Sequence, residues 1–129
     1  MRKLIKKYLK KKLETRRPKH YYFLRWLSEL VKDEMNTENV LAGIASWMVA
    51  TGETFLPFND IFVIDNAIYI YTHRPGLWIG KKDSVINSLE YSLNHNINDE
   101  KIHDYKISLI ECYMVATTTI ESYLHVYKY

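Results

Sequence analysis

The sequence predicts an α+β protein, in which a three-stranded or extended sheet packs against helices behind an N-terminal helical extension. Apolar residues recur at helical spacing through the first fifty residues. Two short strand patterns then flank a turn, and a helical pattern and a further strand pattern follow them. With 129 residues, 47% of them hydrophobic, the chain is long enough to bury one packed core.

Residues 1 to 17 predict a basic amphipathic helix that ends or bends at Pro18. One face is apolar and the other carries lysines; the two sets are Met1, Leu4, Ile5, Tyr8, Leu9 and Leu13, and Lys3, Lys6, Lys7, Lys10 and Lys11. Three uses remain open: docking on the body with a solvated basic face, binding nucleic acid, or lying on an anionic membrane. We expect contact with a membrane surface least.

Residues 20 to 35 predict a second helix, whose apolar side chains we expect in the core: Tyr22, Phe23, Trp26, Leu27, Leu30 and Val31. A third helix is expected after a cap at Asn36 or Thr37, and Gly52 is a plausible stop. Gly43 inside that helix favours close packing against another element.

Residues 61–64 and 67–72 predict a β-hairpin around a turn at Asp65 and Asn66. In the second strand Ile68 and Ile70 face one way, and Tyr69 and Tyr71 face the other. Later in the chain, residues 94–104 predict a polar loop and residues 105–115 a strand. Residues 117–129 predict a further strand, with a short helix over 120–126 as the alternative.

The stretch RPGLWIGKKD, residues 74–83, carries the most specific pattern. Pro75 should stop the preceding strand, and Gly76 frees the backbone to turn. Gly80 makes a second break with two lysines at its tip. Asp83 or Ser84 is then expected to cap a helix whose buried side is Val85, Ile86, Leu89 and Leu93.

This stretch resembles the type II KH domain of a ribosomal small-subunit protein family. The residues in register with the family motif are Arg74, Pro75 and Gly76, followed by Ile79, Gly80, Lys81 and Lys82. The predicted order of helix, strand and strand before Arg-Pro-Gly is also the type II order. The resemblance implies a KH-like domain over residues 36–115; the charge and residue patterns outside it predict a basic N-terminal helical extension over 1–35 and a C-terminal strand or short helix over 116–129.

The resemblance also implies an RNA partner, single-stranded or ribosomal, because the GXXG loop of KH domains clamps about four nucleotides. The implied RNA-binding residues are Arg74, Gly76, Ile79, Gly80, Lys81 and Lys82. The lysines Lys3, Lys6, Lys7, Lys10 and Lys11 would add salt-dependent affinity. Asp83 replaces the second glycine of the loop, where its carboxylate repels phosphate.

Charge is divided unevenly along the chain. Residues 1 to 25 hold eleven Lys or Arg and one acid, a net charge of +10, and since the whole chain carries +3, the remainder carries −7. The basic arm predicts a polyanionic partner. The acidic body argues against RNA wrapping around the whole protein.

Motifs for catalysis are absent from the sequence. The five histidines have no metal-site spacing, and there is no nucleophile elbow or Walker loop. We therefore expect a non-enzyme with no cofactor and no metal. No apolar run is long enough to span a membrane, and the single cysteine, Cys112, predicts a buried hydrophobe in a reducing, cytoplasmic setting.

A second hypothesis is a degenerate KH scaffold that serves as a protein-interaction or regulatory module. Asp83, the acidic body and the tyrosine-rich C-terminal segment favour it. The two hypotheses are compatible, since the arm can bind RNA while the fold binds protein.

Overall fold

The structure is a computed structural model, which describes residues 1–15, 18–53 and 56–112 and the backbone of Thr118 and Thr119. The described chain is α+β, as predicted. Its helices are α1 (Arg2–Lys12), α2 (Tyr21–Val31), α3 (Glu34–Thr51), α4 (Pro75–Ile79) and α5 (Ser84–Asn94). Its strands are β1 (Pro57–Phe58), β2 (Asp60–Ile64), β3 (Ala67–Thr72), β4 (Lys106–Glu111) and β5 (Thr118–Thr119).

The main sheet is mixed and has the strand order β2-β3-β4. Strands β2 and β3 are antiparallel around the predicted turn at Asp65 and Asn66, whereas β3 and β4 are parallel. A parallel pair needs a long crossover connection, and α4 and α5 provide it. The two-residue strands β1 and β5 pair separately.

Helices cover both faces of this sheet. Ile68 and Ile70 pack with residues of α3, α4 and α5, whereas Tyr69 and Tyr71 pack with residues of α1 and α2. The predicted alternation along β3 is therefore confirmed. Because both faces are covered, side chains of both orientations are buried along β3.

The N-terminal helix docks on the body and ends at Lys12 rather than at residue 17. Leu9 and Leu13 are buried against the sheet. The Arg2 guanidinium donates to the carbonyls of Leu30 and Val31 at 3.2 and 3.1 Å. These contacts align α1 antiparallel to α2, so the two form a helical hairpin over the tyrosine face of the sheet.

The prediction that the apolar residues of α2 all enter the core is wrong for four of them. Leu27 and Val31 are buried, together with Leu24. The exposed residues are Tyr22, Phe23, Trp26 and Leu30, at 67, 48, 55 and 47%. Helix α2 carries two apolar stripes, and the sheet contacts only one of them.

The cap of α3 is also not the predicted residue. The Asp33 side chain accepts a hydrogen bond from the backbone amide of Asn36, so Asp33 is the N-cap. The Thr37 hydroxyl instead accepts from the amide of Val63 in β2. Gly52 ends the helix with φ +75°, as predicted.

Two packing expectations are confirmed on the other side of the sheet. A Cβ at Gly43 would lie 2.8 Å from Leu93 Cδ2, so α3 and α5 approach closely there. Cys112 is buried. Strand β4 is shorter than the predicted 105–115, and the predictions for residues 113–117 and 120–129 lie outside the described residues.

Candidate nucleic-acid interface

Helix α4 is held in place by a shared backbone acceptor. The Trp78 indole Nε1 donates to the carbonyl of Pro57 at 2.8 Å, and the Thr72 hydroxyl donates to the same carbonyl at 2.7 Å. Trp78 is 1% exposed. The end of β3, the strand β1 and helix α4 therefore meet at one point, which positions the loop after α4.

The prediction that Gly76 is needed for the turn is wrong. Gly76 lies inside α4, has no positive φ, and an added Cβ there would meet no atom within 4 Å. The chain turns instead at Arg74, with φ −132° and ψ 66°, before Pro75 begins the helix. Arg74 itself is exposed at the start of α4.

Gly80, by contrast, tolerates no side chain. Its φ is +74°, and a Cβ would lie 2.8 Å from Val85 Cβ and 2.9 Å from the Val85 backbone nitrogen. Glycine is the residue that adopts this conformation without strain. The predicted second break at Gly80 is confirmed and is packed directly against the first turn of α5.

The last two residues before α5 adopt a left-handed conformation. Lys82 has φ 53° and Asp83 has φ 60°, and both side chains are exposed, as is that of Lys81. The predicted capping by Asp83 or Ser84 is wrong: Asp83 precedes α5 without a side-chain capping bond, and Ser84 is the first helical residue. Aspartate is among the few non-glycine residues that accept this region.

An open cleft of about 590 Å³ lies beside this loop, between α5 and β4. Its lining residues include Ile79 and Ile86 from the helices and Ile107 and Leu109 from the strand. Four consecutive residues of β4, 106–109, line it, so the outer edge of this strand faces the cleft.

A second cavity of about 700 Å³ adjoins the first and shares lining residues with it, among them Leu13, Glu14, Glu90 and Lys106. It reaches Lys6 and Lys10 on α1. We refer to both together as the β4 cleft. It joins the loop of residues 80–83 to the basic N-terminal helix.

Charge inside the β4 cleft is mixed. The cleft is lined by the carboxylates of Glu14, Asp65, Asp83, Glu90 and Asp104 and by the ammonium groups of Lys6, Lys10 and Lys106. Lys6 is already paired, because its Nζ lies 2.9 Å from Asp65 Oδ1. An anionic ligand in the cleft would therefore meet both signs of charge.

Burial raises the pKa of two phenols near the Lys6 end of the cleft. Burial raises the pKa of the Tyr69 phenol, with a smaller contribution from Asp65. Burial also raises the pKa of Tyr105. Both phenols remain neutral donors, which suits hydrogen bonding to a ligand rather than acid–base work.

The predicted site residues divide into four groups. Ile79, Lys6 and Lys10 line the β4 cleft. Gly80, Lys81 and Lys82 form the loop at its end, whereas Arg74 and Gly76 belong to the far part of α4. The remaining lysines, Lys3, Lys7 and Lys11, are exposed on α1 and do not line the cleft.

Sequence reasoning did not identify Glu14, Glu90 or Lys106 as site residues. They lie in separate segments, and only the packing of α1 and α5 beside β4 brings them together. The acidic charge of the body was the one sequence feature that pointed toward carboxylates near the site.

Within residues 1–15, 18–53 and 56–112, no group of three or more His, Cys, Asp or Glu is arranged to hold a metal ion. Each helix in this described part is too short or too polar to cross a bilayer. Comparison of the chain with protein-family models, curated proteins and solved structures gives no match.

Proposed function

We propose that this chain is a cytoplasmic RNA-binding protein, without catalytic activity, that holds single-stranded ribosomal or messenger RNA on a type II KH-like surface. The surface consists of the 80–83 loop and the β4 cleft. The observation that carries the proposal is the backbone of the loop. Gly80 has φ +74° in a space that admits no Cβ, and left-handed residues follow it directly before α5.

The order of elements supports the proposal. Helix α3 precedes β2 and β3, and the Arg-Pro-Gly stretch then enters α4, the loop, α5 and the parallel strand β4. This is the order that the sequence resemblance to type II KH domains implies. The left-handed conformation of Asp83 also suits the glycine that the KH motif has at that position.

The chemistry of the loop suits a phosphate backbone. Lys81 and Lys82 are exposed at its tip, and the amides of the first turn of α5 follow immediately. Ile79 and Ile86 offer an apolar wall against which a base can pack. In this proposal the lysines position the RNA backbone and the cleft contacts the bases.

The carboxylates of the site lower the expected affinity. A phosphate held by the loop would lie close to Asp83, and Glu14 and Glu90 line the cleft beyond it. The lysines of α1 offset this repulsion, because Lys6 and Lys10 line the same cleft. We therefore expect weak binding that falls steeply as salt concentration rises.

Fluorescence anisotropy with a short labelled single-stranded RNA tests the proposal at several salt concentrations. We expect Lys81→Asp/Lys82→Asp to abolish binding and Asp83→Gly to strengthen it about tenfold, since one repulsive charge and a Cβ are removed. Lys19→Asp is the control for reversal of a lysine charge, because Lys19 is exposed before α2, outside the cleft and the loop. Unchanged affinity in both loop variants would overturn the proposal.

The contribution of the basic N-terminal arm to RNA binding is tested with substitutions rather than with a deletion. Leu9 and Leu13 are buried in the core, so removing α1 would damage the fold. The exposed lysines Lys3, Lys7 and Lys11 can be changed to glutamine without touching that core. We expect this triple variant to bind more weakly and with a shallower salt dependence.

The second candidate function is a KH-like scaffold for protein contact. The observation in its favour is the outer edge of β4, which pairs with no other strand among the described residues and lies along a cleft lined by five carboxylates. Such an edge can add an extended strand from a partner, and the carboxylates would favour basic side chains. A synthetic extended basic peptide that binds the wild type, with no RNA binding, would favour this function.

A further inference from the structure

The outer surface of the helical hairpin is apolar, although both of its helices already bury a face on the sheet. The sheet side is filled by Leu9, Leu13, Leu24, Leu27 and Val31. A second apolar row runs along the junction of α1 and α2 on the solvent side. We define this outer seam as Met1, Leu4 and Tyr8 of α1 with Phe23, Trp26 and Leu30 of α2.

The residues of the outer seam form one continuous strip. The Arg2 bonds to the carbonyls of Leu30 and Val31 fix one end of the hairpin. Toward the other end, the rings of Tyr8 and Phe23 lie 6.4 Å apart, and those of Phe23 and Trp26 lie 6.1 Å apart. Because the helices are antiparallel, Leu4 falls between these two points.

These side chains are exposed to an unusual degree for their size. Leu4 is 69% exposed, Trp26 is 55% exposed, and Met1 is 90% exposed. Large apolar residues that cluster on a surface mark an interaction site more often than single exposed ones do.

Positive charge borders the outer seam. Lys3, Lys7 and Lys11 are exposed along the same helix as Leu4 and Tyr8. The ammonium group of Lys12 lies 5.7 Å from the centre of the Tyr8 ring. On α2, Glu29 is neutralised by Lys32 at 2.9 Å. The seam is therefore an apolar strip with a basic margin.

We propose that the outer seam binds the surface of an anionic lipid bilayer, with α1 and α2 lying flat in the interfacial region. Aromatic and aliphatic side chains enter the headgroup boundary, and lysines contact acidic headgroups. From the sequence, contact with a membrane surface was the least expected of the three uses of α1. The structure divides the apolar face of α1 into a buried row and an exposed row, so both contacts are available.

Two other occupants fit the surface less well. A second copy of the chain would bring two basic margins together, and like charges repel. Single-stranded RNA could stack on Phe23 and Trp26, but Met1, Leu4 and Leu30 offer no ring for stacking and would stay in water. An acidic bilayer accommodates both the aliphatic residues and the lysines.

Trp26 provides a built-in reporter for the test. It is the exposed tryptophan of the three in the sequence, since Trp47 is 5% exposed and Trp78 is 1% exposed. The full chain is titrated with vesicles of phosphatidylcholine, with and without phosphatidylglycerol. With the anionic vesicles we expect a blue shift of the emission and protection from acrylamide quenching, and with the neutral vesicles little change.

Paired variants identify the surface, and cosedimentation with the anionic vesicles measures their partitioning. Leu4→Ser/Leu30→Ser should lower it about tenfold, because two apolar side chains no longer leave water. Lys7→Gln/Lys11→Gln should lower it about 30-fold at low salt, as expected for two lysines near an anionic surface. Ile97→Ser is the apolar control, since Ile97 is fully exposed in the loop between α5 and β4.

The test also separates this inference from the proposed RNA site. Lys81→Asp/Lys82→Asp should leave vesicle binding unchanged, and Leu4→Ser/Leu30→Ser should leave RNA affinity unchanged. Absence of the Trp26 shift with anionic vesicles would overturn the lipid proposal. A Trp26 response to RNA that persists in Lys81→Asp/Lys82→Asp would do so as well, because it would reassign the seam to nucleic acid.

Discussion

Replacement of Gly80 by alanine tests the geometry on which the proposed RNA site depends. The substitution adds one methyl group and changes no charge. Gly80 combines a φ of +74° with a packed environment, so the alanine variant must accommodate both backbone strain and atomic overlap.

The two contributions can be estimated separately. With φ +74° and ψ 176°, Gly80 lies in a backbone region that is essentially restricted to glycine, which costs an alanine about 1–3 kcal/mol. The added Cβ would lie 2.8 Å from Val85 Cβ and 2.9 Å from the Val85 nitrogen, and a backbone atom cannot rotate away. Overpacking of this kind costs a further 1–3 kcal/mol, so we expect Gly80→Ala to lose about 2–6 kcal/mol of unfolding free energy.

Gly52 is the control for a positive φ in open space. Its φ of +75° and ψ of 11° place it in the left-handed helical region, unlike Gly80 with its extended ψ, and an added Cβ would meet no atom within 4 Å. Gly52→Ala should therefore lose only the strain of about 1–2 kcal/mol. Gly76→Ala should be neutral or stabilising by up to about 1 kcal/mol, because Gly76 lies in a helix with open space beside it.

Urea denaturation followed by circular dichroism gives the three unfolding free energies. The expected order of stability is Gly76→Ala, then Gly52→Ala, then Gly80→Ala. The anisotropy assay should also show weaker RNA binding for Gly80→Ala than for Gly52→Ala. If Gly80→Ala were no more costly than Gly52→Ala, the contact with Val85 would not be rigid and the argument for a required glycine would fail.

Three further predictions concern neighbouring features. Asp83→Gly should raise the unfolding free energy by about 1 kcal/mol in urea denaturation, because the left-handed conformation at φ 60° no longer carries a Cβ. Trp78→Phe should lower it by about 1–3 kcal/mol in the same assay, since the buried Pro57 carbonyl loses the indole donor and the smaller ring leaves space. For Tyr71, burial raises the pKa to about 12, so its neutral form is favoured in the folded state. Its contribution is complete below pH 10 and is lost as pH rises toward 12. In urea denaturations across this range the unfolding free energy should therefore fall less steeply for Tyr71→Phe than for the wild type, by about 1.4 kcal/mol per pH unit.

Each of these has an outcome that contradicts it. Lower stability of Asp83→Gly would mean that the aspartate side chain makes a stabilising contact at the start of α5. Wild-type stability in Trp78→Phe would show that the Thr72 hydroxyl, which donates to the same carbonyl, satisfies it alone. If the unfolding free energy fell equally steeply with pH above pH 10 in the wild type and in Tyr71→Phe, Tyr71 would not lose its proton on unfolding.

The sequence alone predicts those features of the fold that depend only on residues close together in the chain. The hairpin of β2 and β3 follows from alternating residues on either side of the Asp65–Asn66 turn, and the apolar spacing of α5 predicted its buried side. The break at Gly80 was likewise readable, because the conformation lies in the residue itself. These features need no knowledge of distant segments.

The candidate site was predictable only in part, for the same reason. The loop lysines Lys81 and Lys82 are local to the motif and were identified. The carboxylates of Glu14 and Glu90 come from the turn after α1 and from α5, and their proximity depends on how both helices dock beside β4. The spacing of residues along the sequence does not show which distant segments come into contact.

Helix α2 shows where periodicity stops being informative. Its spacing reported correctly that Phe23, Trp26 and Leu27 are apolar and helical, but spacing does not say which stripe a sheet will cover. The stripe with Leu24 and Leu27 packs on β2 and β3. Helix α1 docks antiparallel to α2, so the exposed seam lies beside Phe23 and Trp26. The sequence thus determined the elements and their apolar faces, whereas the exposed seam and the β4 cleft arise from contacts between segments far apart in the chain.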